Sequence, residues 1–352
     1  MKKYVVEKNT VQETLLIPLY ARKEAARFFP NLYVDKTAER IIDEIDYDFS
    51  SVEKTSNKTM YRFGFLEVAM RQNDLAYEIK DYLKTHSKSA IVNLGCGLDD
   101  TGRKCDNGEC KIYNLDFESV IAVRNELLPA GEREENIACD LNDTCWFEKI
   151  DATNGVIFFA SGVFYYFLKE QVKTLVCKMA SYFPGGRLIF DGANKTAVKM
   201  IAKTWLKTAK IKDVGAYFAV SDAKKELSAR SDKITISSRG YMLGYNNLKD
   251  KSVDSFFRLL AKAGDNIMRM QIVRIDFKEG LWKKFVLRLK KTGFTEFIGK
   301  TKHRRSSQLS LWLATIQRII WLGAAFNGFK SKVLMCCPCP LERRITAIIT
   351  IH

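Results

Sequence analysis

The sequence AIVNLGCGLD occupies residues 90–99 and joins a short apolar run to two glycines. An apolar run that ends at glycines is typical of a buried parallel strand followed by a tight turn. Gly95 and Gly97 can adopt positive φ angles and let a ligand approach the backbone closely. We therefore predict a strand over residues 90–94 and a ligand site at its carboxyl end.

An acidic residue follows this turn at the spacing expected for a nucleotide site. Asp116 lies nineteen residues after Gly97 and ends a second apolar run, residues 111–115. In a nucleotide-binding βαβ unit, an acid at this place binds the ribose hydroxyls. The third glycine of a dinucleotide fingerprint is absent, because Asp99 and Asp100 stand there. Two acids repel phosphates and tolerate a cation, so the pattern favours an adenosine cofactor that carries a positive charge.

Strand and helix patterns alternate through the next part of the chain. Further strands are predicted at residues 136–139, 155–160 and 187–190, and helices at residues 61–84, 118–128 and 169–182. This alternation predicts an α/β fold, in which helices cover both faces of a parallel sheet and ligands bind outside the carboxyl ends of its strands. Asp140, Ser161 and Asp191 each follow a predicted strand. We expect them to lie at the same edge as the glycine turn.

The residues before this core are predicted to form a helical cap. Residues 10–48 have helical spacing, interrupted by Pro18 and Pro30. The cap is predicted to cover residues 1–60 and to end in a polar loop at residues 50–59, since polar residues crowd there without apolar periodicity.

The residues after the core are predicted to form a lid and to complete the sheet. Residues 193–230 are lysine-rich with helical spacing, and we predict a lid over the ligand site at residues 193–250. Two late strands, residues 233–243 and 268–277, flank a predicted helix near residues 253–263. Because this connection is short, we expect both strands to join the existing sheet.

The net charge of +16 is concentrated near the end of the chain. Residues 278–352 contain fifteen Lys and Arg against three Glu, so residues 1–277 carry only +4. We predict a folded domain over residues 1–277, without nucleic acid as a partner, and a basic, poorly ordered extension over residues 278–352. Residues 281–291 have the pattern of a basic amphipathic helix that can lie on an anionic membrane or RNA. The alternative is an appended segment without an evolved role.

Cysteine use and hydropathy favour a cytoplasmic protein. Six of the nine cysteines are scattered without repeated CxxC pairs or a His at ligand spacing, which favours neither a zinc site nor a disulfide framework, and we predict no metal. Cys336, Cys337 and Cys339 form a cluster that could bind metal or be acylated, but the sequence supplies no partners for it. No apolar h-region follows Met1, so no secretory signal is expected. Gln317 and Arg318 interrupt the apolar residues 309–326, which argues against a membrane-spanning helix there.

Several motifs, taken together and in order, resemble the leucine carboxyl methyltransferase superfamily. The resemblance covers about residues 10–277 and is strongest to the branch like the tetracenomycin polyketide O-methyltransferase. The motifs are TLLIPLYAR at residues 14–22, Arg71, VNLGCGLD at residues 92–99, LDFESVI at residues 115–121, SGVFYYF at residues 161–167 and FPGG at residues 183–186. The resemblance implies a class I, Rossmann-like methyltransferase fold that binds S-adenosyl-L-methionine. It also implies a seven-stranded mixed sheet whose last strand is antiparallel.

The resemblance also implies roles for individual residues. The expected cofactor-binding residues are Arg71, Gly95, Cys96, Gly97, Asp116, Phe117, Asp140, Leu141 and Ser161. Arg71 would pair with the methionine carboxylate, Asp116 would hold the ribose hydroxyls, and Asp140 with Leu141 would frame the adenine. Two positions depart from the family pattern, since Ser161 replaces a common Glu and Phe117-Glu118 replaces a Leu-Pro-like pair.

Simpler roles remain open for some of these residues. Arg71 could instead pair with Asp74 on the helix surface, three residues away. Asp140 and Asp191 could cap the helices that follow them. Tyr165 and Tyr166 could be core and pocket wall.

No catalytic residue is predicted, although Tyr165, Tyr166 and Asp191 are pocket candidates. A carboxylate acceptor is ionised at neutral pH and needs no base, whereas a hydroxyl acceptor usually needs one. His86 precedes the first predicted strand, and His303 and His352 lie in the basic extension. The scarcity of histidine therefore favours a carboxylate or an acidic phenol, in a pocket without a dedicated base.

The predicted function is S-adenosylmethionine-dependent O-methylation of a carboxylate or phenolic oxygen on a small aromatic or polyketide-like metabolite. Two alternatives remain. One is methylation of a protein C-terminal carboxylate. The other is a non-catalytic protein that keeps the cofactor fold and binds RNA or a membrane through its basic extension. The sequence does not indicate an oligomeric state.

Overall fold

The structure is a computed structural model that describes residues 3–7, 10–201, 216–228, 232–245, 248 and 250–279. Its N-terminal part contains, in order, β1 Tyr4–Val5, α1 Val11–Thr14, α2 Leu16–Phe28, α3 Lys36–Glu44, β2 Ile45–Asp46, α4 Ser50–Ser56 and α5 Thr59–Leu83. The helical cap predicted for this part is present, and β1 pairs with β2 in parallel.

The predicted polar loop at residues 50–59 is wrong, because α4 and the start of α5 occupy it. Asp48 accepts a hydrogen bond from the Ser50 backbone N–H at 2.9 Å, at the start of α4. Phe49, which is buried, stacks on Tyr20 of α2 with ring centroids 5.4 Å apart. Tertiary packing thus supports a helix in a segment that has no apolar periodicity of its own.

The remaining elements build the sheet and its covering helices. In order they are β3 Ala90–Leu94, α6 Thr101–Lys104, β4 Lys111–Asp116, α7 Glu118–Leu127, β5 Glu134–Ala138, a 3₁₀-helix Cys145–Lys149, β6 Val156–Ala160, a 3₁₀-helix Phe164–Tyr166, α8 Lys169–Tyr182, β7 Arg187–Gly192, α9 Lys195–Ile201, α10 Ala223–Leu227, β8 Ile234–Gly240, α11 Ser255–Asn266 and β9 Gln271–Phe277. The predicted core strands and helices are found within a few residues of their expected bounds.

Seven of these strands form one mixed sheet in the order β5-β4-β3-β6-β7-β9-β8. The five strands from β3 to β7 pair in parallel, whereas β9 runs antiparallel to β7 and β8. The two late strands therefore complete the existing sheet, as expected, and the last strand is antiparallel. This strand order is that of a Rossmann-like α/β fold.

Helices cover both faces of the sheet because its strands carry apolar side chains on both sides. Ile91 of β3 belongs to one hydrophobic cluster, together with side chains of α2, α3, α5, α7 and α11. Its neighbour Val92 belongs to a second cluster, with side chains of α8 and α10. Successive strand residues point to opposite faces, so a continuous apolar run such as residues 156–160 is buried on both.

The predicted lid region is only partly described. Helices α9 and α10 cover residues 195–201 and 223–227, but the helical prediction is wrong for residues 216–222, which are not helical. Residues 202–215 lie outside the described residues, and residues 234–240 form β8 of the main sheet. The basic extension beyond residue 279, including its predicted amphipathic helix, also lies outside them. No helix in the described part of the chain is long and apolar enough to cross a membrane.

Candidate active site

A cavity of about 510 Å³ lies at the carboxyl ends of β3, β4 and β6. Ten of the predicted site residues line it: Arg71, Gly95, Cys96, Gly97, Asp116, Phe117, Leu141, Ser161, Tyr165 and Tyr166. Asp140 and Asp191 do not line it. Its size falls in the range of small-molecule and cofactor pockets.

The glycine turn forms the floor of this cavity. Gly95 has a φ of 65° and Gly97 a φ of 47°, a backbone region that side chains rarely allow. A Cβ on Gly95 would lie 2.7 Å from Cγ2 of Val163. The Cys96 backbone N–H donates to the Leu115 carbonyl at 2.9 Å, and its side chain is buried. The turn is therefore held against the end of β4, with no room for a side chain at Gly95.

Two buried arginines hold the carbonyl groups of this turn. Arg124 of α7 donates through Nη1 to the Gly97 carbonyl at 2.9 Å and to the Asp99 carbonyl at 2.8 Å. Arg22 of α2 donates through Nη1 to the Leu98 carbonyl at 3.0 Å. Neither residue was predicted from the sequence to have a role in the site. Arg22 is the last residue of the motif at residues 14–22, and its place in that motif could have indicated a role in the site.

Asp116 presents a fixed carboxylate to the cavity. Its Oδ2 accepts from the Gly97 N–H and its Oδ1 from the Phe117 N–H, both at 2.8 Å. Burial raises the pKa of Asp116 above its ordinary value, while these two amides oppose that shift. A carboxylate has about four acceptor positions. Two of them remain available for donors of a ligand.

The two residues predicted to frame an adenine are placed differently. Leu141 is buried and lines the cavity. Asp140 is exposed, and its Oδ1 accepts from both the backbone N–H and the side-chain amide of Asn142 at 2.9 Å. Asp140 thus stabilises the turn after β5.

Arg71, which lines the cavity, forms an ion pair with the buried Asp191. Arg71 Nη1 lies 3.1 Å from Asp191 Oδ2, and Asp191 Oδ1 accepts from the Gly162 N–H at 2.6 Å. The alternative pair with Asp74 is not formed, because Asp74 pairs instead with Arg239 at 3.1 Å. Asp191, a predicted pocket candidate, therefore orients Arg71 and the turn after β6.

Several buried polar atoms of cavity-lining residues have no hydrogen-bond partner within the part of the chain that the structure describes, and two of them are considered for a ligand. These two are Nε of Arg71 and Oγ of Ser161, and both residues line the cavity. Buried polar atoms are normally paired, so unpaired ones next to a cavity indicate contacts that a bound molecule supplies.

Glu67 is a cavity residue that sequence analysis missed. It lies on α5, one helical turn before Arg71, and its Oε1 accepts from the Tyr241 hydroxyl at 3.1 Å. Burial raises the pKa of Glu67 to about 7, with Arg71 and the Tyr241 hydrogen bond opposing the shift and Asp191 adding to it. Glu67 and Arg71 are four residues apart and therefore share one face of the helix, so this spacing could have predicted that Glu67 lies near Arg71.

Apolar and aromatic side chains form the remaining walls. Leu15, Ile17 and Pro18 contribute from the N-terminal cap, and Val163, Tyr165, Tyr166 and Phe167 from the segment after β6. Val198 and Ala216, from the predicted lid region, line the cavity as well. His86 does not line it and stacks on Tyr82 before β3, with ring centroids 4.3 Å apart. Among the described residues, no group of three or more His, Cys, Asp or Glu is placed to hold a metal ion.

Comparison with known proteins gives one family match and one curated relative. Residues 19–180 match the family model described as leucine carboxyl methyltransferase. The tetracenomycin polyketide synthesis O-methyltransferase TcmP of Streptomyces glaucescens is 26% identical over 182 residues. This match covers 51% of the chain and 65% of that relative, slightly less than two thirds of its length.

Solved structures with similar folds are more distant in sequence. A DUF574 family protein from Streptomyces avermitilis has a TM-score of 0.49 at 10% identity, covering 74% of this chain and 97% of that one. An O-methyltransferase family protein from Burkholderia thailandensis has a TM-score of 0.41 at 13% identity, covering 75% of this chain and 72% of that one.

Proposed function

Since residues 19–180 match the leucine carboxyl methyltransferase family model, we propose that the whole protein is an S-adenosylmethionine-dependent O-methyltransferase. We propose as its acceptor a carboxylate or phenolic oxygen on a small aromatic or polyketide-like metabolite; the relative described as a polyketide synthesis O-methyltransferase supports this choice. The observation that carries the proposal is the Asp116 carboxylate, which the Gly97 and Phe117 amides hold at the cavity edge.

The residues of the cavity fit S-adenosylmethionine. The unpaired Nε of Arg71 suits the methionine carboxylate, because a guanidinium binds a carboxylate through parallel hydrogen bonds. The free acceptor positions of Asp116 suit the two ribose hydroxyls, and Leu141 offers an apolar contact to the adenine. The cavity is lined by both acids and bases, among them Asp99, Asp116, Arg22 and Arg71, which suits a ligand that carries a carboxylate as well as a positive charge.

When bound, this cofactor supplies a methyl group on a positively charged sulfur. The chain itself contributes orientation and exclusion of water. Methyl transfer is an in-line displacement, so its rate depends on holding the acceptor oxygen at near-attack distance. The apolar side chains from the N-terminal cap and from the segment after β6 supply a dry, shaped wall for that purpose.

We also propose the domain limits that this function requires. Residues 1–277 form the catalytic domain, with residues 1–60 as its cap. The lid comprises the part of residues 193–250 that lies outside β8. The positions of Val198 and Ala216 at the cavity support this lid. Arg71, Asp116 and Leu141 keep the cofactor roles expected for them.

The first test measures the role of Asp116 in cofactor binding. Asp116→Asn is expected to weaken S-adenosylmethionine binding about 10- to 100-fold, since hydrogen bonds to a charged group contribute roughly 1.5–3 kcal/mol. Isothermal titration calorimetry of the full chain gives the dissociation constant. Asp151→Asn is the matched control, because exposed Asp151 pairs with Lys111 at the opposite end of β4. Unchanged affinity in Asp116→Asn would contradict the proposal.

A further inference from the structure

We infer that Glu67 binds the α-ammonium group of the cofactor's methionine, next to Arg71, whose guanidinium suits the methionine carboxylate. This inference rests on the proposed function and adds a second charged contact at the methionine end of the cavity. The segment after β6 supplies no acid for that contact, because residues 161–168 contain none and Ser161 replaces the Glu that is common in the family pattern.

Glu67 and Arg71 lie side by side on α5. They are four residues apart, so they share one face of the helix, and both line the cavity. The ammonium and carboxylate groups of methionine are attached to the same carbon atom, so their partners in a binding site must also be neighbours. This helix face therefore offers a cation for the carboxylate and an anion for the ammonium.

The two side chains are held by different parts of the protein. Arg71 Nη1 lies 3.1 Å from Asp191 Oδ2 of β7. Glu67 Oε1 accepts from the hydroxyl of Tyr241, which follows β8, also at 3.1 Å. Among the described residues, Oε2 of Glu67 and Nε of Arg71 have no hydrogen-bond partner. One acceptor and one donor therefore remain for the two charged groups of the methionine.

The other two acids that line the described part of the cavity already have partners. Asp116 accepts from two backbone amides at the ribose end. Asp99 accepts through Oδ1 from the backbone N–H and the hydroxyl of Thr101, and through Oδ2 from the side-chain amide of Asn93. An ammonium group has only donors and needs acceptor oxygens around it. Glu67 is the acid that offers one at the methionine end.

The surroundings of Glu67 favour an incoming positive charge. The charged and titratable groups that act on it are Arg71 on the same helix, Asp191 of β7, Tyr165 after β6 and Tyr241 after β8. Burial is the largest influence and raises the pKa of Glu67 to about 7. A cation beside Oε2 favours the ionised form and lowers that pKa. Cofactor binding near neutral pH should therefore displace a proton from Glu67.

The first experiment separates the two contacts by the choice of ligand. Isothermal titration calorimetry of the full chain compares S-adenosylmethionine, decarboxylated S-adenosylmethionine, which keeps the amino group, and 5′-methylthioadenosine, which lacks both groups. Glu67→Gln is expected to bind the first two ligands about 10- to 100-fold more weakly than the wild type, because a hydrogen bond between charged groups is lost. It should bind 5′-methylthioadenosine as the wild type does. Arg71→Lys should weaken binding of S-adenosylmethionine more than binding of its decarboxylated form.

The second experiment counts the protons released on binding. Titrations with S-adenosylmethionine at pH 7 in phosphate and in Tris, buffers that differ in ionisation enthalpy, give this number. The wild type should release up to about half a proton more than Glu67→Gln, because a group with a pKa of about 7 is half protonated before binding. Its affinity should also rise from about pH 5.5 to about pH 7.5, as Glu67 ionises.

Glu78→Gln is the matched control, because Glu78 is a buried glutamate of the same helix that accepts from Tyr245 and is not among the described residues that line the cavity. It should keep the wild-type affinities and proton release. The inference is overturned if Glu67→Gln binds S-adenosylmethionine as tightly as the wild type, if it loses as much affinity for 5′-methylthioadenosine, or if both proteins release the same number of protons. Failure of the wild type to bind S-adenosylmethionine would instead refute the proposed cofactor site, and this inference with it.

Discussion

At the scale of single residues, the cavity depends on polar groups whose partners are buried with them. Asp191 is almost fully buried and accepts from both Arg71 and the Gly162 N–H. One carboxylate therefore fixes a guanidinium and a backbone turn together. A guanidinium presents five donors in a rigid fork, so Arg71 retains donors for a ligand while it pairs with Asp191.

Replacing the planar guanidinium of Arg71 by the ammonium group of a lysine tests this arrangement. Arg71→Lys is expected to weaken S-adenosylmethionine binding about tenfold or more, since an ammonium cannot keep both Asp191 and a carboxylate in planar, parallel contact. Titration calorimetry measures the change. Arg62→Lys serves for comparison, because Arg62 lies on the same helix, packs over the rings of Phe28 and Phe257, and does not line the cavity. Equal effects of the two substitutions would contradict the role of Arg71.

At the scale of elements, Arg22 joins the N-terminal cap to the glycine turn. Its Nε lies 2.9 Å from Asp35 Oδ2, and both side chains are buried. Its Nη1 donates to the Leu98 carbonyl of the turn. Lys104 of α6 also pairs with Asp35, at 3.1 Å. The helix α2, the segment before α3 and the turn after β3 are therefore held by one buried charge network.

Breaking this network should cost stability. Arg22→Leu is expected to lower the free energy of unfolding by about 3 kcal/mol, because removing one member of a buried pair leaves a buried charge incompletely compensated. Urea denaturation followed by circular dichroism gives the value. Lys84→Leu removes a partner from an exposed pair with Asp81 and should cost less than about 1 kcal/mol. If Arg22→Leu lowers the free energy of unfolding no more than Lys84→Leu does, the buried charge network contributes little to stability.

At the scale of the whole molecule, two acids of α5 lie in surroundings that oppose their ionisation, so their ionisation also opposes folding. Burial raises the pKa of Glu67 to about 7 and that of Asp74 to about 6, against ordinary values of 4.5 and 3.8. Between the ordinary and the folded value, the folded protein binds more protons than the unfolded chain. Stability therefore decreases as the pH rises through that window. The contribution of protonated Glu67 to the free energy of unfolding is complete below pH 4.5 and is lost as the pH rises through about 7.

This linkage predicts a pH-dependent difference between two proteins. The free energy of unfolding of the wild type should decrease from pH 5 to pH 8, and the decrease should be smaller in Glu67→Gln, which cannot ionise at that position. Denaturant titrations at a series of pH values measure both slopes. Identical slopes would mean that Glu67 titrates alike in the folded and unfolded states.

The glycine turn, the strand before it and Asp116 were predictable from the sequence, because they lie within one βαβ unit. Apolar periodicity and turn residues specify such a unit locally. The same local patterns predicted the parallel strands and the helices between them. They failed at α4, where the short polar segment becomes helical through the packing of Phe49 on Tyr20.

The charge network around the cavity could not be predicted from local sequence patterns. Arg71 and Asp191 are 120 positions apart, Glu67 and Tyr241 are 174 apart, and Arg22 and Leu98 are 76 apart. Apolar periodicity predicts which face of a helix or strand is buried. It does not predict which polar group, distant in sequence, will contact a polar side chain on that face. That choice follows from strand order and helix packing, since every buried polar group must find its partner within the assembled core. The glycine turn and Asp116 were therefore encoded locally, whereas the partners of Arg71 and Glu67 were decided only by the packing of the assembled sheet and helices.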